Sequence, residues 1–462
     1  MLGNDEEGKR QDDQRTAAEA QQHDRVKHDH DWRTRARVEL SDRALWTGRA
    51  VVVAMAVLSG LTVVGFTWLS EQTFDAFEQL RQLAWWSPLI WTPACTAAVV
   101  WLTRRFAPGA AGSGIPQAMA ALEPSLDPAK LGLFVSLRLS AAKILLTAGG
   151  LLGGLSVGRE GPSVQIAAGV MLQARRLLPA RSQVTTHSLL VAGGAAGIAA
   201  AFNTPLAGIM FAIEELARAP EQRNSGLIIT AIVLGGLIAV SIHGNATYFG
   251  VIHTGAIGPG LLLPGLVVAV CSGVAGGLFS RLLIASLAGR GRDPMSRLRA
   301  RRPVLFGAVC GLAVALIGVV TAGTAFGSGY GPTRAMIDGV ATMPMAYALF
   351  KFLATWLSSW AGVPAGIFAP SLAIGAAMGN DVALLFFHAQ APALIALGMV
   401  GFLAAATQAP LTAFIIVMEM VGGHSMVLSL MACALVASML ARIISPPLYP
   451  TLARMQLQRV PA

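Results

Sequence analysis

The chain divides into a polar beginning and a long apolar remainder. Residues 1–43 mix acidic and basic side chains with few apolar ones, and such a segment cannot bury a core, so we predict a disordered tail. Apolar runs begin at Ala44, and Ala44–Leu69 alone meets the length of about 20 residues that a membrane-spanning helix needs. Roughly ten to twelve such runs occur in all. The pattern predicts an all-α polytopic membrane protein.

Composition agrees with this prediction. Of the 462 residues, 54% are hydrophobic and 13% are charged, whereas soluble domains carry about 25% charged residues. Many of the 50 glycines and 24 prolines interrupt the apolar runs. Broken helices persist in a membrane only where protein or a wet cavity satisfies their backbone, which indicates a transport path. Close packing of glycine-rich helices is the alternative, and composition alone does not separate the two.

The net charge of +10 does not indicate nucleic-acid binding, because the basic residues lie in short loops between apolar runs. Loops rich in lysine and arginine face the cytoplasm. We therefore expect a basic cytoplasmic linker at 286–302 and a cytoplasmic N-terminal tail at 1–43. The linker arginines are Arg290, Arg292, Arg297, Arg299, Arg301 and Arg302.

No cysteine or histidine group has the spacing of a metal site or a disulfide framework. The four cysteines are scattered through apolar runs, where we expect small core residues. Histidines and aspartates cluster in the polar tail, and we favour a solvated segment over a metal site there because no ligand spacing matches. No metal and no cofactor are expected. The tail cluster comprises His23, Asp24, His28, Asp29, His30 and Asp31.

Three motifs recur in the same order on the two sides of the linker. Gly112–Pro116 corresponds to Gly327–Pro332 at an offset of 215, and Gly158–Ser163 corresponds to Gly366–Ser371 at an offset of 208. At an offset of 205, residues 193–214 align without a gap with 398–419, and both segments contain a Pro-Leu pair and end in glutamate.

A duplicated unit of this kind is typical of secondary transporters, whose binding sites lie at the interface between the repeats. We therefore predict a first membrane repeat at 44–285, a second at 303–455 and a short C-terminal tail at 456–462. An odd number of spans in each half would make the repeats inverted.

The recurring strings have the composition of anion-binding helix starts. Glycine and proline at a helix start leave backbone N–H groups unpaired, and the helix dipole favours an anion there. The hydroxyl of Ser113 and the backbone amides of Ile367 and Phe368 are further donors. A Gly-Ser-Gly-Ile-Pro string alone is a plain turn, so its weight comes from the repetition. The helix-start candidates are Gly112, Gly114, Gly158, Arg159, Gly161 and Gly366.

Glu160 lies within an apolar surround, where an acidic side chain is costly and is a functional hypothesis by default. Its carboxylate could occupy an anion site and leave that site on protonation, which would make Glu160 a gate and a proton carrier. A helix cap stabilised by Arg159 is the alternative interpretation.

Glu214 and Glu215 follow a predicted helix at Ala199–Ile213. Because neighbours on a helix point in different directions, one of them can pair with a loop arginine such as Arg218 while the other takes protons. Glu214 has Glu419 as its repeat mate, which indicates a structural role for both. Glu215 corresponds to Met420, so no symmetry explains it. Tyr449 can donate a hydrogen bond to an anion, although its position also fits an aromatic belt at the membrane surface.

Three strings together resemble the signature motifs of the CLC family of chloride channels and transporters. They are Gly112-Ser113-Gly114-Ile115-Pro116, Gly158-Arg159-Glu160-Gly161-Pro162 and Gly366-Ile367-Phe368-Ala369-Pro370. The resemblance covers residues 45–455. It implies a CLC-type fold of two inverted repeats with many tilted and broken helices. It also implies a homodimer with one anion pathway per subunit, embedded in the lipid of a bacterial inner membrane.

The resemblance implies roles for individual residues. The side chains of Ser113 and Tyr449, with the amides of Ile367 and Phe368, would bind chloride. Glu160 would be the external gating glutamate, and Glu215 would be the internal glutamate that transfers protons.

In the family, serine at position 113 goes with chloride, whereas proline goes with nitrate and methionine with fluoride. One departure is Gln117-Ala118-Met119, where bacterial relatives often have acids. This departure leaves the partner of Arg159 open.

Two other function classes compete with a chloride/proton antiporter. A passive chloride channel of the same fold usually lacks an acid at the position of Glu215, so that residue favours proton coupling. An intramembrane enzyme would need a metal or nucleophile constellation, and the histidines of the apolar region are dispersed. We therefore expect a transporter of chloride and protons and not an enzyme.

Overall fold

The computed structural model describes residues 43–180, 182–217, 225–244, 247–252, 259–289, 293–386 and 391–459. Within these residues the chain consists of helices and connecting segments, with no β-strand. Residues 1–42, with the histidines and aspartates of the tail, lie outside the described residues. The same is true of Arg218, Arg290 and Arg292.

Six helical segments of the described chain are long and apolar enough to cross a membrane, and four further apolar helices are shorter. The prediction of an all-α membrane protein is confirmed. The six long segments are Leu45–Leu83, Pro128–Leu152, Leu262–Ala288, Pro303–Val320, Phe368–Phe386 and His424–Ile444. The four shorter ones are Thr186–Phe202, Gly226–Ile242, Ala391–Thr407 and Pro410–Met420.

The α-helices are numbered here in chain order. Up to the basic linker they are α1 (Arg43–Leu83), α2 (Pro88–Phe106), α3 (Ile115–Ala121), α4 (Leu137–Leu152), α5 (Glu160–Met171), α6 (Ala174–Leu177), α7 (Thr186–Phe202), α8 (Pro205–Phe211), α9 (Ser225–His243) and α10 (Leu262–Ala288). From the linker onward they are α11 (Pro294–Arg301), α12 (Pro303–Val320), α13 (Tyr330–Ile337), α14 (Tyr347–Trp360), α15 (Phe368–Phe386), α16 (Ala391–Thr407), α17 (Pro410–Met420), α18 (Val427–Ile444) and α19 (Leu448–Leu457).

Two compact units make up the chain. The smaller lies within Met1–Val51 and Leu177–Gln183 and includes the start of α1. The larger comprises Val52–Arg176 and Val184–Ala462. Every candidate site residue belongs to the larger unit.

Small residues let α15 and α16 approach closely. Gly375 on α15 faces Gly398 on α16, and a Cβ on either glycine would overlap with the backbone carbonyl of the other. Gly379 meets the carbonyl of Leu394 in the same way. Close backbone approach at glycine is typical of membrane helices, which associate by van der Waals packing.

The two halves interrupt their apolar helices at equivalent positions. α7 and α16 are each followed by a residue with left-handed backbone, Asn203 (φ 59°) and Gln408 (φ 62°). The next helix then begins at a proline, Pro205 in α8 and Pro410 in α17. The predicted continuous helix at Ala199–Ile213 is therefore wrong, because proline has no N–H with which to continue the hydrogen bonds of the preceding helix.

Candidate functional site

The three motif strings meet through backbone hydrogen bonds. The N–H of Gly158 donates to the carbonyl of Gly366 at 2.7 Å, and the N–H of Gly366 donates to the carbonyl of Gly158 at 3.0 Å. The N–H of Gly112 donates to Val363 at 3.1 Å, and the N–H of Ala365 donates to Gly112 at 3.1 Å. The string from the second half is thereby joined to both strings from the first half.

Four helices begin at this junction: α3, α5, α15 and α19. The ring of Phe368, at the start of α15, stacks on that of Tyr449, at the start of α19, with 6.0 Å between the centroids. A helix start carries unpaired N–H groups and the positive end of the helix dipole. The junction therefore concentrates hydrogen-bond donors and positive partial charge in one place.

Two side-chain hydroxyls at the junction are buried. The oxygen atoms of Ser113 and Tyr449 have no hydrogen-bond partner among the described residues. The Tyr449 phenol lies close to the Ser113 side chain. A Cβ at Gly161 would overlap with the hydroxyl of Ser113, so glycine there leaves room for that group. Because buried polar groups are almost always hydrogen-bonded, these two donors fit a bound acceptor such as an anion.

The backbone carbonyls of Gly109–Gly112, which precede Ser113, are occupied by side-chain donors. Gln165 donates to Gly109 at 3.0 Å, and the ammonium of Lys143 donates to Ala110 at 2.8 Å and to Gly112 at 2.6 Å. Gln117 donates to Ala111 and accepts from the N–H of Gly114 at 2.9 Å. Carbonyl oxygens repel anions. Because side-chain donors bind these carbonyls, the loop can present its own hydrogen-bond donors to an anion.

The second half contains the same device. Lys351 is fully buried, as is Lys143, and its ammonium donates to the carbonyls of Ala325, Phe326 and Gly327 at 3.0, 3.3 and 2.8 Å. The two lysines are 208 positions apart, which is the offset of the second motif pair. Neither was among the predicted site residues. A charged residue within an apolar run, repeated at a motif offset, was the signal that would have identified them.

Glu160 is fully buried at the start of α5. Its Oε2 accepts from the N–H of Ala369 at 3.4 Å, and its Oε1 has no hydrogen-bond partner in the described part of the chain. A Cβ at Gly158 would overlap with that Oε2. The carboxylate thus accepts a hydrogen bond from a backbone amide at the start of α15, where an anion could bind instead.

Aromatic rings surround the junction. The ring of Phe368 lies 6.2 Å from that of Phe202 and 6.4 Å from that of Phe211, in addition to its stack on Tyr449. All four residues are buried. An apolar wall lowers the local dielectric constant and so strengthens each interaction between the donors and an anion.

Glu215 lies in a π-helical turn, Ala212–Ala217, that directly follows α8. Its side chain is buried, and it lies within electrostatic range of the Tyr449 phenol, as does Glu160. Isolated π turns are rare and are frequent at functional sites. Both acids without a repeat mate are therefore buried and act electrostatically on the same phenol.

Glu214 and Glu419 cap each other's neighbouring helix. The carboxylate of Glu419, near the end of α17, accepts from Leu206 and Ala207 at the start of α8, at 3.3 and 2.8 Å. The carboxylate of Glu214 accepts from Leu411 and Thr412 at the start of α17, at 3.1 and 2.7 Å. The structural equivalence predicted for these two glutamates is confirmed. The alternative partner, Arg218, lies outside the described residues.

Arg159 takes its partner from α1, not from the Gln117-Ala118-Met119 stretch. Its guanidinium donates to the carboxylate of Glu71 at 2.7 Å, to the carbonyl of Thr67 at 3.3 Å and to the phenol of Tyr248 at 3.3 Å. These residues line a cavity of about 770 Å³, here called the Arg159 cavity, that also contacts the loop before α13. Its charged lining groups are Glu71, Asp75, Glu78, Arg81, Arg159 and Arg334.

The family model for the voltage gated chloride channel matches residues 95–442, which include all three strings. The chain belongs to this family, the CLC family. The fold class predicted from the sequence is thereby confirmed.

Individual CLC proteins resemble the chain over most of its length. It is 32% identical to the H(+)/Cl(-) exchange transporter ClcA of Klebsiella pneumoniae (strain 342) over 443 residues, which cover 89% of this chain and 90% of that protein. Its fold is similar to a slow cyanobacterial Cl-/H+ antiporter (TM-score 0.76, 24% identity, 89% of this chain and 98% of that one). It is also similar to a CLC-type fluoride/proton antiporter (TM-score 0.72, 22% identity, 88% and 98%).

The structure brings most of the predicted CLC site residues together. The hydroxyls of Ser113 and Tyr449, the carboxylate of Glu160 and the start of α15, where Ile367 and Phe368 lie, meet at the junction of strings. Glu215 lies on a separate element, the π turn that follows α8. Arg159 directly precedes α5, and its guanidinium lines the Arg159 cavity. The roles of these residues in transport stay predictions.

Proposed function

We propose that the chain is a chloride/proton antiporter. The observation that carries the proposal is the fully buried carboxylate of Glu160, which accepts from a backbone amide at the start of α15, at a junction that also holds the buried hydroxyls of Ser113 and Tyr449. The similarity to relatives named as proton/chloride exchangers supports it. An anion site with an acid at each of two approaches can exchange the two ions.

In this proposal the junction of strings is the chloride site. The hydroxyls of Ser113 and Tyr449 donate to chloride, together with the backbone amides of Ile367 and Phe368. The glycines at the helix starts allow the backbone to approach the ion closely. Chloride accepts several hydrogen bonds at once, which matches two buried hydroxyls that have no other partner in the described part of the chain.

Glu160 serves as the external gate. As a carboxylate it accepts from Ala369 and so occupies a place that chloride can take. Protonation removes the charge of Glu160 and weakens this bond. Chloride then replaces the side chain, which moves away and carries its proton with it. The Arg159 cavity is the external approach, since it is lined by the residue next to the gate.

Glu215 serves as the internal proton acceptor. Its π turn carries a buried carboxylate, and in this proposal protons pass between Glu215 and Glu160. The basic linker and the N-terminal tail are placed in the cytoplasm. The protein is proposed to act in the inner membrane of a bacterium, as a homodimer in lipid and without enzymatic activity.

The test is ion flux in liposomes that contain the purified protein and a chloride gradient. Chloride leaving the vesicles should drive protons inward against their gradient. Glu215→Gln should keep chloride flux and abolish proton flux, and Glu160→Gln should do the same and remove the pH dependence of chloride flux. Glu123→Gln, at an exposed carboxylate after α3, is the matched control and should behave as the unchanged protein.

Two outcomes would overturn the proposal. Chloride flux that moves no protons in the unchanged protein would assign a passive channel of the same fold. Proton movement that survives Glu215→Gln at full rate would remove the internal role of this residue.

A further inference from the structure

The two halves are alike where α8 and α17 begin and different where they end. Both helices start at a proline after a left-handed residue, and glutamates occupy equivalent positions in the two halves, Glu214 just after α8 and Glu419 within α17. α17 stays α-helical to Met420, whereas the first half leaves the α-helix after Phe211 and forms the π turn Ala212–Ala217. The asymmetry thus lies in the segment that carries Glu215.

A π turn is rare and occurs mostly as a single turn within an α-helix, so we expect contacts from its surroundings to hold it. Two capping contacts supply this support. Glu419 accepts two N–H groups at the start of α8, so it fixes the helix that leads into the π turn. Glu214 belongs to the π turn and accepts two N–H groups at the start of α17, so it fixes the turn itself.

The contacts form a closed circuit. α8 leads into the π turn, the π turn binds the start of α17 through Glu214, and the end of α17 binds the start of α8 through Glu419. A change in either cap therefore shifts the backbone on which Glu215 stands. Carboxylates at helix starts are also favoured by the helix dipole, which strengthens both contacts.

We propose that Glu419 and Glu214 are positioning residues for proton transfer, and that their reciprocal caps present Glu215 to the anion site. The proposal rests on the proposed antiport function. Neither glutamate is expected to carry the proton, since each accepts two backbone N–H groups and is thereby kept at a helix start.

Chloride binding should be largely independent of the caps. Its proposed ligands stand on other elements: Ser113 precedes α3, Ile367 and Phe368 are at the start of α15, and Tyr449 is in α19. The end of α8 nearest to them is fixed separately, because Phe211 packs edge-on against Phe368 with 6.4 Å between the ring centroids. Losing a cap at the start of α8 leaves that aromatic contact in place.

The experiment measures proton and chloride flux in liposomes for Glu419→Ala. A helix cap changes the population of the capped arrangement by about 5-fold to 30-fold. We expect the number of protons moved per chloride to fall by about 5-fold or more, with the chloride rate within about 2-fold of the unchanged protein. Glu419→Gln keeps one acceptor oxygen and should give an intermediate ratio.

The matched control is Asp293→Ala. Asp293 also caps a helix, since its carboxylate accepts from the N–H of Ser296 at the start of α11, but α11 lies in the basic linker. This variant loses a cap of the same kind and should keep the proton-to-chloride ratio. Comparison of Glu419→Ala with Asp293→Ala separates the effect of losing any helix cap from the effect of losing a cap around Glu215.

A double variant tests the circuit. If the two caps act as one unit, Glu214→Ala combined with Glu419→Ala should lower the proton-to-chloride ratio little further than either change alone. Equal loss of proton and chloride flux in Glu419→Ala and Glu419→Gln would overturn the proposal, since it would mean a merely structural role. An unchanged ratio in both would overturn it as well.

Failure of this inference is distinct from failure of the proposed function. If the unchanged protein moves chloride without protons, the antiport function is wrong and the caps have no coupling to support. If the unchanged protein is coupled and Glu215→Gln uncouples it, but Glu419→Ala does not, only the positioning role is wrong. Should Glu419→Ala fail to fold, Glu419→Gln carries the same test with the same two outcomes.

Discussion

Replacing Lys143 by methionine should weaken chloride binding sharply. Lys143 is fully buried, and its ammonium donates to the carbonyls of Ala110 and Gly112, on the loop that presents Ser113. Methionine is an unbranched side chain of similar length, so Lys143→Met removes both bonds without leaving a large cavity. The carbonyl of Ala110 is then free to turn toward the anion site, and the carbonyl of Gly112 keeps the N–H of Ala365 as its remaining donor.

The magnitude follows from the two bonds, which measure 2.8 and 2.6 Å. A hydrogen bond that involves a charged group contributes about 1.5–3 kcal/mol. If the free energy lost at the anion site equals that of one of the two bonds, chloride affinity falls by about 10-fold to 150-fold.

The assay is isothermal titration of chloride into the purified, chloride-depleted protein. Lys351→Met is the matched control, because Lys351 is equally buried and donates to three carbonyls of the equivalent loop in the second half. That loop borders the Arg159 cavity and has no proposed chloride ligand. Equal loss of chloride affinity in both variants, or no loss in either, would refute the reasoning.

Three further predictions concern single contacts. Glu71→Gln should lower stability by about 1 kcal/mol or less, because the Glu71 side chain is 53% exposed and Arg159 keeps its carbonyl and phenol partners; thermal unfolding in detergent measures this. Gly161→Ala should weaken chloride binding in the titration assay, since the new Cβ overlaps with the serine hydroxyl of the site, whereas Gly132→Ala, which meets no atom within 4 Å, should not. Gly375→Ala should destabilise the protein by about 1–3 kcal/mol, seen as a lower unfolding temperature, because its Cβ overlaps with the backbone of α16.

The sequence was sufficient to predict which segments meet at the junction of strings, because the repetition identified them. Gly158 and Gly366 are equivalent positions of the two halves, and they pair directly through two backbone hydrogen bonds. Glu214 and Glu419 are equivalent at the offset of 205, and they make equivalent caps. A repeat places matching residues in matching environments, so symmetry in sequence became symmetry in contacts.

Other features could not be predicted, because they depend on contacts between distant segments. The partner of Arg159 is Glu71 in α1, 88 positions away, and no local spacing predicts this pair. The π turn at Glu215 has no pattern of its own in the sequence, since the one extra residue of a π turn requires no particular residue type. The break at Asn203 is different, because Pro205 already signalled it and the expectation of a continuous helix gave that proline too little weight.

The reciprocal caps have a consequence for biogenesis. The start of α8 obtains its acceptor from Glu419, 213 positions later than Leu206. A ribosome adds about 5–20 residues per second. The N–H groups at the start of α8 therefore remain without the Glu419 cap for about 10–40 s after their own synthesis. Phe368 and Tyr449 also belong to the second half and are likewise synthesised late. An unfinished chain in the membrane therefore contains neither the supported π turn nor the whole of the proposed chloride site, and we expect ion movement only after both halves are inserted.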